Sequence, residues 1–341
     1  MYKVKLIPYR KELGKIFHRQ TKGHNLMSGD GRYKFYIDED IEDPDFLVVQ
    51  GKGVREKLTC KVARQNTVFL STEPQSVLKY PKLYLRQFGQ ICTCQANTNV
   101  GKGQQLHLMP PVLPWFIGYE EDDNDVTTCN IDYDQFKSMP TPCKTKLISV
   151  ISSNKAFTQG HIDRLRFVNR LKSHFGDDID VFGSGQNCFA DKWDVVAPYK
   201  YHIVIENSSQ DYYWTEKLGD CFLAETFPLY YGCTNLGEYF PKNSFEPIDI
   251  RKPDEAIAVI EKQIKEERYE KSKEVLAECK QKMLDEYNLF ETIAHICDQL
   301  DARLPKEDVT IMPCSSSSSL QNLWNYTIGR NYYKIKSKLY V

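Results

Sequence analysis

The sequence predicts an α/β protein of two lobes, and three observations carry that expectation. Short β-branched, apolar runs alternate with turns and helical patterns through the amino half, at Tyr2 to Ile7, Lys34 to Ile37, Phe46 to Gln50, Thr67 to Ser71 and Gln90 to Cys94. Such runs are the mark of strands buried on both faces of a sheet. The carboxyl half repeats the alternation with Lys146 to Ile151, Asp180 to Phe182 and Tyr201 to Ile205. A chain of 341 residues is long enough to bury two cores. The proline-punctuated Ser138-Met139-Pro140-Thr141-Pro142 places the boundary between them near residues 138 to 145. The expected division is 1–143, 144–304 with trailing helices, and a serine-rich, then basic and aromatic tail at 305–341.

Composition excludes several classes. A formal charge of -1 argues against a generally basic surface, so nucleic acid is not an expected partner. No run of eighteen apolar residues occurs, and Met1 to Leu6 reads as a first strand instead of a signal peptide. A soluble, cytoplasmic protein is the expectation. The eleven cysteines are scattered, and Cys92-Thr93-Cys94 lacks the spacing of common zinc sites. They read as reduced, mostly buried thiols, with a disulfide set as the minority reading.

In chain order, His24 to Arg32 is a Gly- and Asx-rich loop, either a site flank or a plain connection, with the plain connection preferred. Thr67 to Leu70 runs into Glu73-Pro74, where the proline biases the carboxylate-bearing residue to extended backbone. By itself Glu73 reads as a solvated loop residue. Lys79 to Phe88 has the aromatic and aliphatic face of a packing helix. Pro110 to Tyr119 is proline-fixed and aromatic, equally a sugar-stacking rim or a buried loop. After the acidic Glu120 to Asp125 and the strand at 146–151, a helix is expected from about His161 to Phe175. It carries Arg164, Arg166 and Arg170. Gly183-Ser184-Gly185 invites a dinucleotide fingerprint, but Cys188 replaces the third glycine, so a tight turn suffices. Helices follow from Pro253, from Tyr269 to Tyr287 and from Leu289 to Leu300. The serine run Cys314 to Ser319 and the aromatic, basic segment 323–338 close the chain. That last segment either docks on the protein or lies on an anionic membrane surface.

The chemistry is expected in Tyr201 to Lys217, where an apolar strand ends in Glu206-Asn207-Ser208-Ser209 and a helix begins near Thr215. Ligands of open α/β sheets bind at the carboxyl ends of strands, and a helix amino terminus there favours phosphate. Asn207-Ser208-Ser209 and Asn325-Tyr326-Thr327 also fit the glycosylation sequon. A glycan on the first would block the expected site.

Glu206-Asn207-Ser208 followed by Tyr213-Trp214-Thr215-Glu216-Lys217 resembles the donor-site signature of glycosyltransferase family 10, the α-1,3/1,4-fucosyltransferases. Pro228-Leu229-Tyr230-Tyr231-Gly232, Tyr239-Phe240-Pro241, Ser244-Phe245 and Ile248-Asp249-Ile250 continue the likeness in the family's order. The resemblance implies a GT-B fold: two Rossmann-like domains facing across a cleft, acceptor side amino-terminal and donor side carboxyl-terminal, with a carboxyl-terminal helical segment. It implies an inverting transfer of L-fucose from GDP-fucose to a GlcNAc-containing glycan, with no cofactor and no active-site metal. Glu73 is then the candidate general base. Arg164 and Lys217 would neutralise the diphosphate, Glu216 would accept from ribose hydroxyls, Asn207 and Tyr213 would orient the sugar and phosphate side, and Thr215 completes the donor-site set. With no anchor or stem in the chain, a bacterial- or viral-type soluble member is implied. Its partners are a GDP-sugar donor and a glycan acceptor, with possible peripheral membrane contact through the tail. A transferase with a different nucleotide-sugar donor and a non-catalytic nucleotide- or glycan-binding module stay open.

Overall fold

The structure, a computed structural model, describes residues 1–121, 127–153, 158–183 and 187–317. Ser184, Gly185, most of the acidic run before residue 127, the middle of the loop at 152–160, the end of the serine run, the second sequon and the tail with its membrane reading lie outside the described residues.

In chain order the amino half contributes β1 (Tyr2–Ile7), α1 (Gly14–Phe17), β2 (Tyr33–Ile37), β3 (Phe46–Gln50), β4 (Leu58–Val62), β5 (Thr67–Leu70), α2 (Lys82–Leu85), β6 (Gln90–Thr93) and β7 (Gln105–Leu108). Two short strands, β8 (Tyr119–Glu121) and β9 (Thr127–Cys129), and α3 (Tyr133–Ser138) follow. The carboxyl half has β10 (Lys146–Ile151), α4 (Gln159–Phe175), β11 (Ile179–Phe182), α5 (Trp193–Val196), β12 (Tyr199–Gln210), α6 (Glu216–Leu223), β13 (Phe227–Cys233) and β14 (Glu246–Pro247). It ends in α7 (Pro253–Lys265), α8 (Arg268–Lys271), α9 (Lys273–Asp285), α10 (Leu289–Asp298) and β15 (Glu307–Ile311).

Two compact units result. The first comprises, among the described residues, 1–114, 127–135 and 284–317. Its sheet runs β2-β1-β3-β5-β6-β7, parallel throughout. Strands β3, β5 and β6 are buried at every position, which explains why they read as continuous apolar runs and not as alternating ones. Helix α10 joins this unit because Phe290 meets the Phe35 ring at 4.8 Å. Strand β15 joins it by antiparallel pairing with β4. Residues 284–304 thus belong to the amino-terminal unit, although they follow the carboxyl-terminal one in sequence. The His24 to Arg32 loop is tied to the same helix: the Gly29 N–H donates to Glu291 at 2.6 Å, and the Arg32 guanidinium forks onto Asp298. It is a structural connection.

The second unit comprises, among the described residues, 115–121, 136–153, 158–183 and 187–283. Its sheet runs β11-β10-β12-β13-β14, again parallel. The chain passes from β10 outward to β11, then crosses back to β12 and on to β13. The direction of winding therefore reverses between β10 and β12, the switch point at which open α/β sheets bind ligands. Two Rossmann-like parallel sheets bear out the α/β class.

Several sequence expectations need correction. Strand β12 does not end at Ile205 but continues to Gln210, with a register shift against β13 between Ile205 and Gln210; polar side chains are tolerated there because the extension is only partly buried. The helix expected over Lys79 to Phe88 shortens to α2, with Pro81 as its N-cap residue. Tyr269 to Tyr287 is two helices, α8 and α9, and Ile248 to Ile250 lies beyond β14. Trp115 is 1% exposed, packed edge-on against Phe136 at 5.8 Å, so the proline-rich loop takes the buried reading. The cysteines are free thiols, all but Cys129, Cys143 and Cys188 buried. No helix among the described residues is long and apolar enough to cross a membrane.

Candidate functional site

A cavity of about 230 Å³ opens at the switch point. Ile151 and Ser153 at the end of β10, the stretch His202 to Ile205 of β12, Arg164 of α4, and Glu216, Lys217 and Asp220 of α6 line it, with Lys192 and Val196.

Two helices enter this place for local reasons. Thr158 caps α4, accepting the His161 N–H at 3.3 Å, and puts Arg164 in the second turn. Gly160 allows the helix to start hard against β12, since a Cβ there would stand 2.8 Å from the Asn207 carbonyl oxygen. Arg164 is 6% exposed, and its Nη2 donates to the Ser153 carbonyl and hydroxyl, both at 3.0 Å. Burial lowers its pKa to about 10, which leaves it cationic at neutral pH.

Helix α6 is pinned by Glu206. This fully buried carboxylate accepts the Thr215 N–H at 2.8 Å, the Thr215 hydroxyl at 2.8 Å and the Lys217 ammonium at 3.3 Å. Burial pushes the Glu206 carboxyl up, and Lys217 works against that shift. Gly232 makes the arrangement possible, because a Cβ at that position would sit 2.5 Å from Glu206 Cγ. Thr215 caps the helix and stands behind Lys217, whose Nζ also reaches Glu216 at 3.4 Å. At Glu216, burial opposes charge but the Lys217 and Lys192 ammoniums outweigh it, so its carboxyl lies below the usual range.

Of the residues expected from sequence, Arg164, Glu216 and Lys217 converge on the cavity, and Thr215 supports them. Asn207 lies on the β12 extension, partly buried and outside the lining. Tyr213 has no exposed surface, and its carbonyl accepts from the Tyr230 hydroxyl at 3.4 Å. Trp214 beside it packs on Phe240 at 5.4 Å. Glu73 follows β5 in the first unit, where its carbonyl accepts the Gln95 side-chain amide at 2.9 Å.

Sequence reasoning missed Glu206 as the clamp, and also Lys192, His202 and Asp220. Asp220 was findable, since it lies one turn after Glu216 on the same helix face. Lys192 carries no local signal. His202 is a buried strand residue whose Nδ1 pairs with the Ser149 hydroxyl at 2.7 Å, and burial lowers its pKa to about 3. A second, larger cavity of about 430 Å³ lies at the ends of β13 and β14, with Tyr231, Lys242, Asp249 and Arg251 on its walls. Among the described residues, no group of three or more His, Cys, Asp or Glu side chains is placed to hold a metal ion.

Arg164, Lys192 and Lys217 thus converge beside the amino terminus of α6 at the switch point of a parallel sheet, the place where open α/β sheets favour anions. Residues 141–307 match the family model described as glycosyltransferase family 10 (fucosyltransferase) C-term. The match lies in the carboxyl-terminal part of the chain and spans just under half of it. A search of curated proteins gave no match. Similar solved structures include an alpha1,3-fucosyltransferase with GDP, 17% identical over 85% of this chain and 92% of that one, with a TM-score of 0.47. Another is an alpha1,3-fucosyltransferase with GDP-fucose, 16% identical over 95% and 90%, TM-score 0.44. A glycosyltransferase from Rickettsia africae ESF-5 is 9% identical over 87% and 97%, TM-score 0.43.

Proposed function

We propose that this protein is an inverting glycosyltransferase that moves L-fucose from GDP-fucose to a hydroxyl of a cell-surface glycan, with O3 of GlcNAc as the expected position. The observation that carries the reading is the convergence of Arg164 and Lys217 with Glu216 on one cavity, inside the segment that matches the family. In the reaction the acceptor oxygen bonds to the anomeric carbon, the bond from that carbon to the β-phosphate oxygen breaks, and GDP leaves with the electron pair. The acceptor proton passes to Glu73 as general base. Arg164 and Lys217 stabilise the charge that grows on the departing diphosphate. Glu216 accepts from the ribose hydroxyls. Asn207 and Tyr213 remain proposed donor residues, Tyr213 requiring movement of its buried ring to touch a ligand. The donor is a substrate, and the reaction runs without a metal or other cofactor.

The test is product formation from GDP-fucose and GlcNAc-containing acceptors in the presence of EDTA. Fucosylated product at O3 is expected; turnover only with another sugar nucleotide would replace the donor, and nucleotide binding with no turnover on any acceptor would leave a binding module. For the base, Glu73→Ala should keep GDP affinity and lose transfer by roughly a hundredfold or more. Retained turnover in that variant removes Glu73 from the mechanism.

A further inference from the structure

Lys192 stands just before α5, far in sequence from Thr215-Glu216-Lys217, yet it lines the same cavity. Its Nζ is 2.6 Å from Asp220 Oδ2 and 5.3 Å from the centre of the Phe116 ring, with the side chain 22% exposed. Asp220 is buried and fully engaged: its Oδ1 accepts the Phe116 N–H at 3.0 Å and the Ile117 N–H at 3.2 Å. An ammonium has three N–H groups, and Asp220 takes one of them.

We propose that Lys192 is a third cation of the nucleoside-diphosphate site, held by Asp220 and donating to the phosphates beside Arg164 and Lys217. This inference rests on the donor-site reading above. The charge balance points the same way. Arg164, Lys217 and Lys192 stand against Glu206, Glu216 and Asp220, so the formal charges of the protein groups balance. Without Lys192 the site would hold an excess carboxylate charge against an incoming dianion. A compact ammonium on a flexible stem suits phosphate oxygens, which need no fixed fork geometry. Lys192 also acts on its neighbours, helping to lower the pKa values of both Glu216 and His202.

Calorimetric titration of the full chain with GDP, and ligand-observed NMR with guanosine, decide it. The variants are Lys192→Met, Asp220→Asn and the two combined. The combination leaves no buried charge unpaired, so it remains testable should Lys192→Met alone fail to fold. A direct phosphate contact predicts that the double variant binds GDP about tenfold or more weakly than wild type, with guanosine binding unchanged. Wild-type GDP affinity in the double variant would show that Lys192 only neutralises Asp220, and equal weakening of GDP and guanosine would show a general distortion; either overturns the inference while leaving the donor site in place. Failure of the wild type to bind GDP overturns the donor-site reading itself, and this inference with it.

Discussion

Glu206 is the residue on which the site turns, and its role is mechanical before it is electrostatic. Its carboxylate joins β12, four residues before the strand's end, to the cap and first turn of α6 through Thr215 and Lys217. Glu206→Ala should therefore weaken GDP binding even though Glu206 does not line the cavity, and Gly232→Ala should do the same by displacing the carboxylate. Both are checked by GDP affinity beside thermal melting, with affinity loss expected to exceed what the stability change explains. His202 makes a different prediction. It is neutral when folded, with a pKa lowered to about 3, whereas unfolded histidine titrates near 6.5. Below about pH 6.5 the unfolded chain binds the extra proton, so this histidine's contribution to stability falls as the pH drops toward 3. Between pH 6.5 and pH 5 the loss is about 2 kcal/mol. A His202→Asn variant should show a shallower fall in melting temperature across that interval; an unchanged slope would contradict the assignment. Glu216 and Lys217 were legible in the sequence because strand, turn and helix cap are contiguous there. Tyr213 was placed at the ligand from the motif alone, and only packing shows its ring filling the core.

At the scale of elements, α6 and the loop before α5 depend on contacts from distant sequence. Asp220 accepts from the backbone of Phe116 and Ile117, and Asp191 accepts the Gly118 N–H at 2.8 Å. The proline-rich loop thus serves as a strap on the second unit's helices, and Trp115 is its anchor. Trp115→Ala should cost about 3–5 kcal/mol, read by chemical denaturation of the second unit. A cost under 1 kcal/mol would mean that the loop is not held there. Helix spans such as α4, α6, α7 and α10 were readable from apolar spacing and caps. The extension of β12 beyond Ile205 was not, because Asn207 to Ser209 are turn-forming residues and pairing with β13 resumes only at Gln210, opposite Cys233.

At the scale of the molecule, two parallel sheets were legible because each central strand is a short, uninterrupted apolar run. Strands β4, β7 and β15 were missed for the opposite reason, their pattern being mixed with exposed polar residues. The second unit also contains a buried ion pair, Lys280 to Glu225 at 2.8 Å, with Lys280 donating to the Met139 carbonyl and Glu225 accepting from Thr141. It ties the proline-punctuated stretch to α9 and to the turn that follows α6. Lys280→Met should destabilise the second unit by about 3–5 kcal/mol, since it leaves a buried carboxylate without its cation. Denaturant titration followed through that unit checks this, and near-wild-type stability would contradict it.

The proposed donor site is the cavity lined by β10, β12 and α6, with GDP as its ligand. Calorimetric titration of the chain with GDP, UDP and ADP, each with EDTA and with Mn²⁺, tests it most directly. GDP is expected to bind in EDTA, and to bind about tenfold or more weakly in Lys217→Ala. Preference for UDP or ADP would contradict the fucose donor, and GDP binding undiminished by Lys217→Ala would contradict the site.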